Sequence, residues 1–361
     1  MTLSPALAAV RAAHADQNPG PVRRAWPGAD GSLTAEIQEG SGQLRATTIS
    51  ADGHLQLLPY GQDSKLPALE ADLAAPETSL LVHRAGKRAV VKHPEKVTKH
   101  LKAAKVAGVV AASQAVGSFA SEVGFTTAQV TDVTDHSLAF SLVPGTTPYD
   151  LADQSIDAWQ RFATLWPRFL AAGAYHHAAG GALPGPAGPF TPADHGATQE
   201  KAVLDQWLAQ AEAHGSLSGP GIDTGALEDL KETAAATMAE LIDGQPSPTA
   251  LLHRDLHDKQ LLWDGANLGI LDLDTAAWGE PELDLGNLLA HLELRTVQGR
   301  VSYDTYLGQL EHVQGMAVNT VKNLDRLSLY TQAARIRIAC IYSFRPSSAS
   351  WLGTWITRTL T

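Results

Sequence analysis

The sequence predicts an α+β protein, with an antiparallel-sheet N-terminal part followed by a mainly helical C-terminal part. Three observations carry this. Short apolar stretches before residue 92 are punctuated by turn dipeptides, Asp30-Gly31 and Asp52-Gly53, and by Ala85-Gly86-Lys87, which suit tight hairpins. The run Pro144-Gly145-Thr146-Thr147-Pro148 breaks both helix and strand. Beyond it, apolar residues recur at helical spacing.

Taken in order, residues 1 to about 25 show no period. Leu33 to Gln38, Leu44 to Ser50 and Leu55 to Tyr60 read as strands, and Ser79 to Arg84 pairs with Arg88 to Lys92 across a hairpin. A helix is expected from about Val97 to Glu122, with Lys99, Lys102 and Lys105 repeating every third residue. Ser137 to Val143 is a further strand. After the Pro/Gly break, Ile156 to Ala174 places Trp159, Phe162, Trp166 and Phe169 at helical spacing, as a core helix would. Gly180 to Gly196 holds four prolines and reads as an exposed loop. Helices follow at Thr198 to His214, Thr224 to Ile242, Glu282 to Thr296, Ser302 to Asn319 and Asn323 to Tyr342. The expected division is 1–143 as an N-terminal lobe, 144–148 as a hinge and 149–361 as a C-terminal lobe.

Composition narrows the function. At 361 residues the chain is long enough for roughly two domains of about 150 residues. Charged residues are 18% and apolar residues 44%, a globular balance. Lys plus Arg total 27 against 38 Asp plus Glu, a net charge of -11, so the basic footprint of a nucleic-acid reader is absent. An acidic chain tilts toward a cationic ligand, though net charge speaks first to solubility. Cys340 is the only cysteine, which excludes an intrachain disulfide and fits a reducing compartment. The N-terminus lacks a basic start followed by a long apolar run, and Val106 to Ser121 is short and rich in Ala, Gly and Ser. The expectation is a cytoplasmic protein without membrane or nucleic-acid partners.

The chemistry concentrates in HRDLHDKQLLWDGANLGILDLDTAAWGEPELDLGNLL, His253 to Leu289. His253 to Gln260 reads as a polar loop. Leu261 to Trp263 and Leu268 to Leu273 read as strands joined by a turn at Asp264-Gly265, and a helix begins near Glu282. This gathers Asp255, Gln260, Asp272 and Asp274, and strand alternation sets Asp272 and Asp274 on one face. Phosphoryl transfer asks for such a set. Its catalysis is mostly positioning and electrostatics, with Mg²⁺ held by one or two carboxylates and the phosphates, and a further carboxylate for the attacking hydroxyl.

The run resembles the catalytic and metal loops of the aminoglycoside phosphotransferases and related small-molecule kinases, including maltokinase-like and glucosamine-kinase-like proteins. Their pattern is H-G-D-x-H-x-x-N followed by I-D-W or similar; here it stands as H-R-D-L-H-D-K-Q and I-L-D-L-D. The resemblance implies a protein-kinase-like bilobal fold, with ATP and Mg²⁺ as cofactors and a small-molecule hydroxyl as acceptor: a sugar, amino sugar or aminoglycoside-like compound. By it, Asp255 is the catalytic base, Asp272 and Gln260 hold metal, and Asp284 braces the loop. Lys92 is the strand lysine on the nucleotide phosphates, and 144–148 meets the adenine. Three departures stand out. Gln260 replaces Asn, Arg254 replaces Gly, and the helix after Lys92 has no obvious Glu partner, with Gln114 the nearest substitute.

Other roles stay open. His253 reads as a loop brace. Asp274 is either a further metal or substrate ligand or an exposed residue. His257 either contacts substrate or bonds within the loop. His291 and Arg295 face either the acceptor or solvent, and Asp258 and Asp264 read as solvated turn residues. Rival readings are a kinase fold that binds without turnover, a glycosyltransferase using Asp272-Leu273-Asp274 as a metal-binding D-x-D, and a metallohydrolase built on His253, Asp255 and His257. The sequence leaves the acceptor and the oligomeric state undetermined.

Overall fold

The structure, a computed structural model, describes residues 20–186, 188–219 and 221–361. Residues 1–19, which hold most of the aperiodic opening stretch and the segment judged against a signal peptide, lie outside the described residues.

The N-terminal part contains two antiparallel sheets. The first is a meander of β1 (Val22–Pro27), β2 (Leu33–Gln38), β3 (Leu44–Ile49) and β4 (Leu55–Leu57). Its tight turns fall at the expected dipeptides, where Gly31 and Gly53 have φ of 77° and 85°, a region open to glycine at little cost. β1 is unexpected: VRRAWP carries two arginines, and its apolar signal is correspondingly weak. A short helix, α1 (Leu69–Leu73), leads to the second sheet of β5 (Ser79–Arg84), β6 (Arg88–Lys92), β7 (Lys96–Leu101), β9 (Val130–Val133) and β10 (Ser137–Ser141), in the order β5-β6-β7-β10-β9. β8 (Thr126–Thr127) pairs elsewhere.

The expected helix from Val97 is corrected here. Residues 96–101 are the central strand β7, and helix α2 runs Ala103–Val123. The strand was hidden because its inward face is polar. Thr98 and His100 are buried, and His100 Nε2 lies 2.8 Å from Asp72 Oδ2, so apolar alternation misleads. By length and composition α2 could cross a membrane. Here its apolar residues serve the core: Val116 and Ala120 are buried, and Phe119 meets Phe169 edge-on at 5.0 Å.

Beyond residue 144 the chain is mainly helical, with α3 (Pro148–Leu151), α4 (Ile156–Ala178), α5 (Ala197–Ala213), α6 (Ala226–Asp243), α7 (Pro281–Val297), α8 (Tyr303–Thr320), α9 (Leu324–Tyr342) and α10 (Leu352–Leu360). Trp159, Phe162, Trp166 and Phe169 on α4 are fully buried, with Phe162–Trp166 and Trp166–Phe169 centroids 5.4 and 4.8 Å apart. Burying each such side chain is worth about 1.5–3 kcal/mol, and this row anchors α4 under the site. The Pro-rich loop is tighter than expected, since Leu183 is buried and exchanges backbone hydrogen bonds with Phe190. Short strands β11 (Ala193–Asp194), β12 (Ala250–Leu252), β13 (Leu261–Trp263), β14 (Leu268–Ile270) and β15 (Ala277–Gly279) complete two small sheets.

The segment 144–148 is tied to the site hairpin. Thr146 N–H donates to Trp263 O and Trp263 N–H to Thr146 O, both at 2.9 Å. Gly145, at φ 118°, lies so close that a Cβ there would sit 2.6 Å from the Trp263 carbonyl carbon.

Candidate active site

The loop His253–Gln260 leaves β12 and is fixed from below by Asp284. Near the start of α7, Asp284 Oδ2 accepts from His253 N–H at 2.6 Å and Oδ1 from Arg254 N–H at 2.8 Å. Burial pushes the Asp284 carboxyl up to about 6, against the pull of those two N–H groups. His253 is also fully buried. Its Nε2 lies 2.7 Å from Leu271 O, its Nδ1 accepts from Asp255 N–H at 3.3 Å, and its carbonyl accepts from the Thr275 hydroxyl at 3.2 Å. One imidazole thus pins the loop carrying Asp255 to the segment carrying Asp272. With both ring nitrogens engaged, His253 does not serve a zinc centre.

Arg254 adopts φ 71°, a left-handed conformation that costs a residue with a Cβ about 1–2 kcal/mol and glycine almost nothing. This explains physically why a Gly suits the position. Asp255 projects outward with 62% of its side chain accessible. Gln260 Nε2 lies 3.5 Å from Asp255 Oδ2, and Gln260 O accepts from Leu271 N–H at 2.9 Å, next to Asp272.

Asp272 and Asp274 share a cation, but not by strand alternation. The strand ends at Ile270, Asp272 turns at φ 54°, and Leu273–Thr275 is a short 3-10 turn. Lys99 on β7 reaches both, 2.7 Å from Asp272 Oδ1 and 3.3 Å from Asp274 Oδ1. Crowding by the protein disfavours charge on Asp272, yet the Lys99 ammonium outweighs it and holds the carboxyl at about 2. Burial likewise opposes the charge on Lys99, while Asp272 and Asp274 hold the ammonium above its ordinary value.

Lys92 does not join this group. It is exposed at the end of β6, paired through its backbone with Ser79 and Val97. Lys99 is the lysine the sequence reading missed. In KVTKHL, just before the true helix start, the inward positions are Thr98 and His100, so apolar patterning gave no signal for it. Helix α2 carries no carboxylate before Glu122, so Lys99 takes its partners from the Asp272 turn instead.

The remaining candidates lie on the other side of Asp255. Asp258 and Arg295 are both buried, not solvated, and form a two-pronged pair at 2.6 and 2.7 Å. Desolvation opposes both charges, but each partner more than compensates the other, so Asp258 stays well below and Arg295 above its ordinary value. His291 stacks against His257 with centroids 4.6 Å apart, and burial drives its imidazole well below the usual value. The ligand atoms of His257, Asp258 and His291 lie within 4.8 Å of one another, but both Asp258 oxygens already serve Arg295. Asp264 is exposed and accepts from Ala266 and Asn267 N–H, an ordinary turn.

Comparison with known proteins agrees with this architecture. The family profile of the phosphotransferase enzymes (APH) matches residues 70–317, most of the chain, and the chain belongs to that family. Comparison with curated protein sequences gives no match. Among solved structures, the chain is similar to an aminoglycoside-3'-phosphotransferase of type VIII, at TM-score 0.51 and 18% identity over 75% of this chain and 97% of that one. It is also similar to an amicoumacin kinase in complex with AMP-PNP, Ca²⁺ and its ligand Ami, at TM-score 0.52 and 12% identity over 79% and 89% of the two chains. At such identities the likeness concerns the fold: an antiparallel-sheet N-terminal part and a helical C-terminal part, protein-kinase-like. That fold is not the parallel, helix-alternating one expected for a D-x-D glycosyltransferase.

Proposed function

We propose that the protein is an ATP- and Mg²⁺-dependent kinase acting on a hydroxyl of a small molecule, with 144–148 as hinge between lobes 1–143 and 149–361. The observation that carries it is the convergence of Asp255, Gln260, Asp272 and Lys99 around the His253 brace. The donors are carboxylate and amide oxygens, a hard set that fits Mg²⁺. Asp272, with 48% of its side chain accessible, offers the main ligand, supported by the Gln260 amide and Asp274. When bound, Mg²⁺ neutralises charge on the β- and γ-phosphates.

In this reading Asp255 aligns the acceptor hydroxyl and takes its proton as the oxygen bonds to the γ-phosphorus. The bond from that phosphorus to the β–γ bridging oxygen breaks, and ADP leaves with the electron pair. Lys99, not Lys92, steadies the nucleotide phosphates, since it is the ammonium beside Asp272. Because Thr146 spends both backbone groups on Trp263, adenine recognition in this reading falls to the other backbone groups of 144–148. Work in the cytoplasm belongs to the same reading, in keeping with Cys340 as the only cysteine. Titrating Mg²⁺-dependent ATP binding in wild type and Asp272→Asn tests the proposal: the variant loses the metal dependence, and an unchanged dependence refutes the role of Asp272.

A further inference from the structure

The net charge of -11 suggests a cationic acceptor, but the surface beside the catalytic loop has the opposite sign. A cavity of about 340 Å³ opens between β1, the start of α3, the catalytic loop and the segment after α9. Arg23, Arg24, Lys259, Arg300 and Arg345 line it, with no carboxylate among the lining residues. Among the described residues, two carboxylates form ion pairs with those five cations. Glu36 takes Arg24 and, at 3.9 Å, Arg23; Asp150 stands 3.9 Å from Arg300 in an exposed pair that counts for little. Five cations less two carboxylates leave a surplus of three, with Lys259 and Arg345 lacking any ion-pair partner among the described residues.

This surplus is built in by the fold. Ala25 N–H donates to Phe344 O at 2.9 Å, so the N-terminal meander holds its arginines against Arg345 from the far end of the chain. Tyr149 carries three cations on one ring, with Lys259 Nζ, Arg300 Cζ and Arg295 Cζ at 3.8, 4.3 and 4.7 Å from its centroid. The buried Tyr342 hydroxyl reports the same field. Burial should raise its pKa, yet Arg345, Arg295 and Lys259 hold it below the ordinary phenol value. Gathering like charges in a concave site costs free energy and focuses the field, a cost that a bound anion removes. The cavity also adjoins the reacting centre. Lys259 belongs to the loop of Asp255, and Arg345 lies close enough for the Asp255 carboxylate to favour its charge.

We propose that the acceptor alcohol carries an anionic group, a phosphate or a carboxylate, which this cavity holds while the hydroxyl faces Asp255. The assignment rests on the kinase reading above and names its substrate class. The test uses the full chain loaded with AMP-PNP·Mg²⁺, titrated with inorganic phosphate and with acetate, and then with glucosamine, glucose, gluconate and glucose 6-phosphate, read by thermal shift. Anionic members are expected to bind saturably and more tightly than glucose or glucosamine. Arg345→Gln and, at an exposed position over the Tyr149 ring, Lys259→Gln should each weaken that binding at least about 10-fold while keeping the AMP-PNP·Mg²⁺ shift. A response to phosphate and glucose 6-phosphate assigns a phosphate group, and one to acetate and gluconate a carboxylate. Nucleotide binding without saturable anion binding, or anion binding unchanged in both variants, overturns the acceptor assignment alone. Absence of AMP-PNP·Mg²⁺ binding in the wild type sinks the kinase reading and the assignment with it.

Discussion

Lys99 Nζ donates to Asp272 Oδ1 at 2.7 Å across 173 residues of sequence, joining the central strand of the N-terminal sheet to the turn after the site hairpin. The contact gives the cleft a defined separation between its lysine and the carboxylate proposed to hold metal. Its removal separates two assignments of the phosphate lysine. Lys99→Met should raise the KM for ATP·Mg²⁺ about 10- to 100-fold, as expected for a lost charge-assisted contact, while Lys92→Met leaves it unchanged. Steady-state kinetics at varied ATP decides, and the reverse pattern would restore Lys92.

Asp284 makes stability depend on pH. Its carboxyl titrates near 6 in the folded protein against an ordinary 3.8, so the native state holds the proton more tightly. The stabilisation is complete below the unfolded value and is lost as pH rises through about 6. Its size is roughly 3 kcal/mol at about 1.4 per pKa unit. Denaturant melts of wild type and Asp284→Asn from pH 4 to 7 should show the wild type falling relative to the variant over that window. Near pH 4, where the wild-type stabilisation is largest, the variant should be the less stable by at least about 1–3 kcal/mol for the lost N–H acceptor, and that gap should close as pH rises.

The Asp258–Arg295 pair is buried on both sides, so breaking it by one substitution strands a charge. Arg295→Ala should cost about 3–5 kcal/mol, and the apolar pair Asp258→Leu with Arg295→Met distinctly less. Chemical denaturation of the three proteins measures this. Equal losses would mean that the ion pair itself, not the stranded charge, carries the energy.

Much of the fold was legible because its signals are local. Hairpins at Asp30-Gly31, Asp52-Gly53 and Ala85-Gly86-Lys87 need particular turn residues, and α4 shows its buried face through four aromatics. The HRD loop and Asp284 could be placed because they lie within one contiguous stretch, whereas the turn at Asp272 was read as the end of a strand. What escaped depends on contacts distant in sequence. β7 hides its alternation by burying Thr98 and His100 against Asp72, which turned Lys99 into a helical lysine and left Lys92 in its stead. Asp258 and Arg295, 37 residues apart, look like surface charges until the fold brings them together. The basic cavity draws Arg23, Lys259 and Arg345 from three distant segments, and no window of sequence contains it.

In the proposed reaction Asp255 receives the proton of an alcohol attacking the γ-phosphorus. Single-turnover transfer of labelled γ-phosphoryl from ATP·Mg²⁺ to the acceptor, compared between wild type and Asp255→Ala with nucleotide affinity measured in parallel, tests it most directly. A rate lowered about 10²- to 10⁴-fold with nucleotide binding intact is the predicted result; transfer at the wild-type rate in the variant would contradict it.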